Sequence, residues 1–485
     1  MNRFWGLLLV ASAAAQTPSV QQHIAGRLTA SGLKADVSFL ASDALLGRGT
    51  PSPGLEIAGE YIAAQFRRAG LEPAGGDDYF QNAPYNRVTP NPDGLQLTLT
   101  VDGNEIRAEA DAAVIHEASA LDLKGAGAIR VSLTDTQALT ALMPEEARGK
   151  VLFLEGSLNP GYVGRLLTPL ATRLQPALVV FLPGNGRPGR PTPMMREVTD
   201  KEPVPIISIW SPEIRKALEG KSGAIDATVS AHIAAPTAEP ARQRNVIGLL
   251  RGSDPQLAET YVVLTAHYDH LGVRAAGEGD RIFNGANDDA SGVACVIEIA
   301  NTLASLPARP KRSIVFMAMY GEELGLVGTR YYARHPVFPL AATIADLNLE
   351  QVGRTDDLTG PRVGILNLTG FDYTSFSPTL QKAGEEFGIQ LQKDEKASDA
   401  FFNRSDNQAF ADAGVPAHTA SVGYEFPDYH RVTDEWPKLD YDNMAKVART
   451  VALALYRTAD SVDVPTWNTA NPKTAPYVKA REALK

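Results

Sequence analysis

From Asn245 onward, short uninterrupted apolar runs alternate with amphipathic helical patterns, an order that admits few folds. Tyr261–Thr265 and Ser313–Met319 are continuous apolar runs, as expected of central strands buried on both faces, and Thr343–Leu349 and Val363–Leu368 supply further strands. Between the first two, Val293, Val296, Ile297, Ala300 and Leu303 recur as on one face of a helix. Asp440–Tyr456 reads as a closing helix, with Met444, Val447, Val451 and Leu455 on one side. Strand, helix and strand in turn predict an α/β fold: a mixed, mostly parallel central sheet with helices on both faces. Such sheets bind ligands beyond the carboxyl ends of their strands. His267 follows the first run, Glu322 and Glu323 follow the second, and Glu350 ends the third, so residues far apart in sequence converge on one edge.

The 485 residues exceed one ordinary core, and two domains are expected. Residues 237–460 read as the catalytic domain and 16–104 as its N-terminal part. In that part a helix is expected over Asp36–Leu46, then the turn-rich Gly47-Arg48-Gly49-Thr50-Pro51, then a helix from Leu55 to Ala69 closed by Gly70. The texture changes between residues 105 and 236, where short apolar runs stand with few long helical patterns and a Gly/Pro-rich loop covers Pro183–Gly189. This stretch reads as an inserted, mainly β domain. Residues 461–485 form a C-terminal tail.

A net charge of -10 argues against a nucleic-acid partner. Arg3, the apolar run Phe4–Val10 and Ala13-Ala14-Ala15 read as a secretory signal over residues 1–15, implying export to the periplasm or the medium. No apolar run is long enough to span a bilayer, so stable membrane insertion is not expected. Cys295 is the single cysteine; it excludes internal disulfides and thiolate zinc sites, and it reads as an inert thiol on a helix's apolar face.

Each polar candidate has an ordinary reading and a chemical one. His267 with Asp269 is a surface pair, or a metal-bound imidazole whose ring is fixed by a carboxylate. Asp288 and Asp289, in a Gly/Asn-rich loop before a helix, are caps, or include a carboxylate bridging two metals. Glu322 and Glu323 answer a helix dipole, or divide into a proton carrier and a ligand. Glu350 is a strand-end surface group or a ligand, and His430 a buried structural histidine or a ligand. His270 points elsewhere on an extended backbone and is left out. The ordinary readings stand one at a time; their joint occurrence in this order favours the chemical ones.

The segments TAHYDHLG, GANDDASG, YGEELGLVGTRYY, LNLEQVG and YHRVTDEW resemble, in order, the metal motifs of the dizinc aminopeptidase family, which includes bacterial secreted leucine-type aminopeptidases and glutamate carboxypeptidase-like enzymes. RSDNQAFADAGVPA and FLASDALLGRGTPSPG resemble further segments of that family, and the 105–236 stretch its common protease-associated insertion. The resemblance implies two Zn2+ ions per chain. His267 and Glu350 would complete one site, Glu323 and His430 the other, and Asp288 would bridge them. Glu322 would be the general base and Asp269 would orient His267. It also implies a cis Asp288–Asp289 peptide. Two positions depart from the family pattern: Glu350 replaces a frequent Asp, and Asn407 a frequent His.

The implied activity is that of a metallo-exopeptidase releasing N-terminal residues from peptides with a free N-terminus. A dipeptidase or carboxypeptidase is the nearest alternative; a glutaminyl cyclase or an inactive binding protein stands further off. Tyr373, Phe376, Tyr424, Phe426 and Tyr429 are candidates for a side-chain pocket or for core packing.

Overall fold

The computed structural model describes residues 18–91, 94–108, 110–158, 163–184, 194–198, 201–394 and 396–484. The signal expected at 1–15 and most of the Pro183–Gly189 loop lie outside these residues. Two compact units are present: one runs up to Gln81 and resumes at Arg244, the other is Asn82–Gln243. Among the described residues no helix is long and apolar enough to cross a membrane.

The first unit contains, in chain order, helices α1 (Ala30–Leu40) and α2 (Pro53–Ala69), strands β1 (Thr237–Leu250, from Arg244) and β2 (Tyr261–His267), helix α3 (Ser291–Ala304), strand β3 (Ser313–Met319), helix α4 (Val327–Arg334), strands β4 (Thr343–Leu349), β5 (Ile365–Leu368) and β6 (Gln390–Gln392), helix α5 (Asn407–Asp412), strand β7 (Ala417–Ser421) and helix α6 (Tyr441–Asp460). The sheet order is β6-β5-β7-β4-β2-β3-β1. Its centre, β7-β4-β2-β3, is parallel, while β1 and β5 pair antiparallel at either side. Every residue of β2, β3 and β4 is buried, which explains why these strands read as continuous rather than alternating apolar runs.

Side-chain alternation sends successive residues of β3 to opposite helical layers. Phe316 meets Phe66 of α2 at a ring separation of 6.5 Å, while α3 and α6 also pack on the sheet. Val315, Met317 and Met319 instead join a core with Tyr332 of α4 and Phe410 of α5. Each such side chain contributes about 1.5–3 kcal/mol through burial. The expected mixed α/β architecture with helices on both faces is therefore present.

The helix expected from Leu55 to Ala69 is present as α2 with Gly70 closing it, but the one before it differs from expectation. The helix expected over Asp36–Leu46 ends at Leu40, and Asp43–Arg48 forms a 3-10 turn in which Leu46, Gly47 and Arg48 take φ of 49°, 66° and 48°. Periodicity could not register this break, because Leu45 is as buried as a helical core residue. Helix α6 runs one turn past Tyr456, since Thr458 and Ala459 extend its buried face.

The second unit is an eight-stranded sheet ordered Asn104–Ala108, Gln96–Val101, Gly223–Ile233, Leu121–Ser132, Val151–Gly156, Leu178–Pro183, Ile206–Ile209 and Ala113–Glu117. Phe153 and Val180 pack on one face; Leu152, Leu154 and Phe181 pack on the other with the helix Val163–Leu174. The unit is wider than the 105–236 texture because the strand Gln96–Val101 belongs to its sheet.

Candidate metal centre

Strand register places the first donors. His267 pairs with Met319 across β2 and β3, so Glu322 and Glu323 emerge beyond the same edge, and Thr265 pairs with Asn348, two residues before Glu350. His267 is fully buried, and its Nδ1 lies 3.2 Å from the backbone carbonyl of Asp269 and 3.6 Å from its Oδ1. The Asp269 carboxylate, expected to orient His267, lies beside that ring and also accepts from the Glu322 amide at 3.1 Å and from the Thr50 hydroxyl at 3.1 Å. The carbonyl of Asp269 is the nearer anchor for the ring.

The Asn284–Ala290 loop is held from several directions. Asp434 accepts from the amides of Asn287 (3.0 Å) and Asp288 (3.1 Å), and Asn287 Oδ1 accepts from Gly353 (2.8 Å) and Arg354 (3.0 Å). Asp289 accepts from Gly292 (3.0 Å) and Gln351 (3.2 Å), so it caps α3 and pins β4. A Cβ at residue 292 would stand 2.4 Å from Asp289 Oδ2, which restricts that position to glycine. With Asp289 engaged inward, Asp288 is left facing the histidines. The peptide between the two is cis.

Asp288 stands at the middle of the cluster. Its Oδ1 is 3.2 Å from His267 Nε2 and its Oδ2 is 3.2 Å from His430 Nε2. His430 Nε2 is also 3.3 Å from Glu323 Oε2. One ligand atom from each of His267, Asp288 and Glu350 lies within 4.8 Å of the others, and the same holds for His270, Asp288 and Glu323. All five residues named from the sequence as ligands thus meet. So does His270, which was expected to point away: its Nδ1 is 2.7 Å from Glu323 Oε1 and 3.9 Å from Asp288 Oδ2. Gly285 makes room for it, since a Cβ there would stand 2.5 Å from the imidazole. His270 sits in an isolated bridge with Gly49 just past the end of β2, a pairing that the sequence alone did not reveal.

The electrostatics are those of crowded buried carboxylates among imidazoles. Burial raises the Asp288 carboxyl, but hydrogen bonds with His267 and His430 outweigh it and leave it well below the usual range. Burial lowers His267, yet Asp269 and Asp288 raise it well above the ordinary histidine value. Burial pushes Glu350 up to about 7, with Asp288 adding to the rise against the pull of His267. Burial likewise pushes Glu322 well up, opposed by His267 and reinforced by Glu350 and Glu323. His267 Nε2, both His270 nitrogens, Asp288 Oδ2 and Glu323 Oε1 have no well-directed hydrogen bond. Buried polar atoms are normally satisfied, so a set of orphaned imidazole and carboxylate donors fits a divalent cation. Thiolate ligands are absent, and nitrogen and oxygen donors suit zinc.

The two departures are explained locally. Ser405 hydrogen-bonds Glu350, and the Ser421 hydroxyl donates to the Glu350 carbonyl at 2.6 Å. Asn407 is fully buried, donates to the Phe402 carbonyl (2.9 Å) and accepts from Thr419 (2.8 Å), so it braces the strand rather than lining a cleft. Among the aromatics, Tyr429 stacks on His430 at 4.0 Å, whereas Tyr373 packs on Phe402 and Phe376 on His418 in the core. Cys295 is buried and free, with its thiol pushed well up by burial.

Several known proteins are similar to this chain. A probable zinc metalloprotease of Leptosphaeria maculans is 36% identical over 125 residues, 25% of this chain and 28% of that protein. One of Pyricularia oryzae is 37% identical over 126 residues, 25% of this chain and 24% of that protein. The chain thus matches about a quarter of the length of these relatives. In fold it is similar to an aminopeptidase from Aneurinibacillus sp. strain AM-1 (TM-score 0.58, 21% identity, 92% of this chain and 97% of that one). A zinc aminopeptidase from Bacillus subtilis is also similar (TM-score 0.52, 21% identity, 90% and 97%). The model of peptidase family M28 matches residues 245–455, the stretch that supplies every donor described above, and this part of the chain belongs to that family.

Proposed function

We propose that the protein is a dizinc aminopeptidase. One observation carries the reading: the two oxygens of Asp288 face different imidazoles, His267 and His430, at 3.2 Å each, as a carboxylate shared between two cations requires. His267, Asp288 and Glu350 would hold one zinc; Asp288, Glu323 and His430 would hold the other, with His270 at the same end. A bound zinc pair supplies Lewis acidity, lowering the pKa of water and polarising the scissile carbonyl.

The chain's own groups supply the rest. Glu322 is buried beside His267, Glu350 and Glu323, where its carboxyl readily holds a proton. It takes the proton of the attacking water and delivers it to the departing amine. Asp269 holds His267 through its carbonyl and fixes the Glu322 backbone through its carboxylate. Tyr429, stacked on His430, keeps that imidazole turned toward Asp288.

The N-terminal direction of cleavage is inherited from the resemblance to secreted leucine-type aminopeptidases and accords with the naming of two structures of similar fold as aminopeptidases. The 82–243 unit is read as the protease-associated-like insertion, and the N-terminal pattern as an export signal. Metal analysis tests the core of the proposal: two zinc ions per chain are expected. Peptides with a free N-terminus should release free amino acids one at a time, while their acetylated counterparts resist. Cleavage of the acetylated peptides from their C-terminus would replace the aminopeptidase reading with a carboxypeptidase one.

A further inference from the structure

Beneath the metal centre lies a buried cation that its chemistry does not use. Arg48 is 1% exposed and is among the largest fully buried side chains. Its Nε donates to the Tyr268 carbonyl at 2.8 Å, Nη1 to Asn284 at 2.8 Å and also to Leu40, and Nη2 to Gly285 at 2.9 Å. Every acceptor is a backbone carbonyl; among the described residues no carboxylate stands within ion-pair distance. The backbone joins in, since the His270 amide donates to the Arg48 carbonyl at 3.2 Å and Thr50 donates to Asp269.

This contact is built into the turn. The left-handed run Leu46-Gly47-Arg48 brings the strand-like segment back against residues 270–272. A Cβ on Gly47 would stand 2.4 Å from the Phe283 carbonyl and 2.5 Å from the Gly272 carbonyl, so the approach is open to glycine alone. Burying a guanidinium without a carboxylate partner is costly, so a fold keeps one only where its donors are all engaged. Burial accordingly lowers its pKa, to about 10, while Asp269, Asp434, Asp289 and Asp288 pull it back up. Those four carboxylates belong to the candidate metal centre or hold the loop beside it, and their mutual repulsion would spread the loops apart.

We infer that Arg48 is a positioning residue of the metal centre. Its fork ties the Tyr268 and Asn284–Gly285 backbones together, and its fixed charge steadies the carboxylates before any metal arrives. The inference rests on the dizinc reading above. Lysine would keep the charge but not the planar fork that reaches four carbonyls at once.

The test uses the full chain and two variants, Arg48→Lys and Arg48→Ala, each compared by competition with a chromophoric zinc chelator and by melting of the zinc-free protein. Arg48→Lys should fold and bind zinc about 10–100-fold more weakly, the loss typical when a group orienting metal ligands is changed. Arg48→Ala should lose more, and added methylguanidinium should restore part of its affinity. If Arg48→Ala does not fold, Arg48→Lys decides. A lysine variant that melts lower yet binds zinc as the parent does would reduce Arg48 to a packing residue and overturn the inference. A parent chain that takes up no zinc would instead remove the dizinc reading itself.

Discussion

Each of the two units is built around four adjacent parallel strands, but the groups beyond those strands are handled differently. In the second unit Glu155 is paired with Arg130, and Arg196 holds Glu117 at 2.6 Å. Acids there have guanidinium partners, and the sheet is a closed structural element. In the first unit His267, Glu322, Glu323 and Glu350 stand beyond equivalent strands, and among the described residues no lysine or arginine lies within ion-pair distance of them. A third treatment is seen at Asp36, which is 4% exposed, accepts from the Tyr61 hydroxyl at 2.6 Å and has its carboxyl raised to about 7 by burial. Parallel strands supply a location; carboxylates left without a protein cation mark where an external one belongs.

The largest test of this contrast is Asp288→Ala. It should abolish binding of both zinc ions by metal analysis and reduce peptide hydrolysis to background, whereas His430→Ala should cost one ion. Loss of a single ion from Asp288→Ala would show that it is not shared. Next in size is Glu322→Gln, which should retain two zinc ions and lower kcat by about 10²–10⁴, the usual worth of a positioned acid–base group. Retained turnover in that variant would move the base elsewhere.

Asp36 gives a smaller, pH-dependent effect. Burial, aided by Glu298 and opposed by Tyr61, raises its carboxyl to about 7 from an ordinary 3.8. The folded state therefore binds a proton that the unfolded state releases, and the stability this provides is complete below about pH 4 and lost as pH rises through 7. Asp36→Asn should melt higher than the parent at pH 8, by up to a few kcal/mol equivalent, with the difference shrinking toward pH 4. A constant difference across that range would show that Asp36 is ionised in the fold. The smallest effect belongs to the second unit: Arg130→Met should cost about 1 kcal/mol by thermal melting and leave zinc content unchanged.

The sheet was legible because β2, β3 and β4 are buried on both faces and so read as plain apolar runs. Their terminal His267, Glu323 and Glu350 were legible for the same reason, since strand ends fix an edge. Asp288 and His430 sit on loops, and the family resemblance rather than periodicity gave them roles. His270 was missed because its placement depends on a bridge to the distant Gly49 and on the space left by Gly285. Arg48 was hidden differently: three of its four partners are carbonyls more than 200 residues away, and a backbone acceptor leaves no trace in residue type. Asn407, marked as a departure from the family pattern, proved to be a buried brace, which burial and its hydrogen bonds reveal and residue type does not.

The loop carrying Asp288 is gripped by Arg48 on one side and by Asp434 on the other. These two residues lie far apart in the chain, so a polypeptide reaches the second long after the first. Until then the loop has one anchor and no finished cage, and a fragment that stops short of Asp434 would carry His267, Asp288, Glu322, Glu323 and Glu350 without the brace that fixes the Asp288 amide.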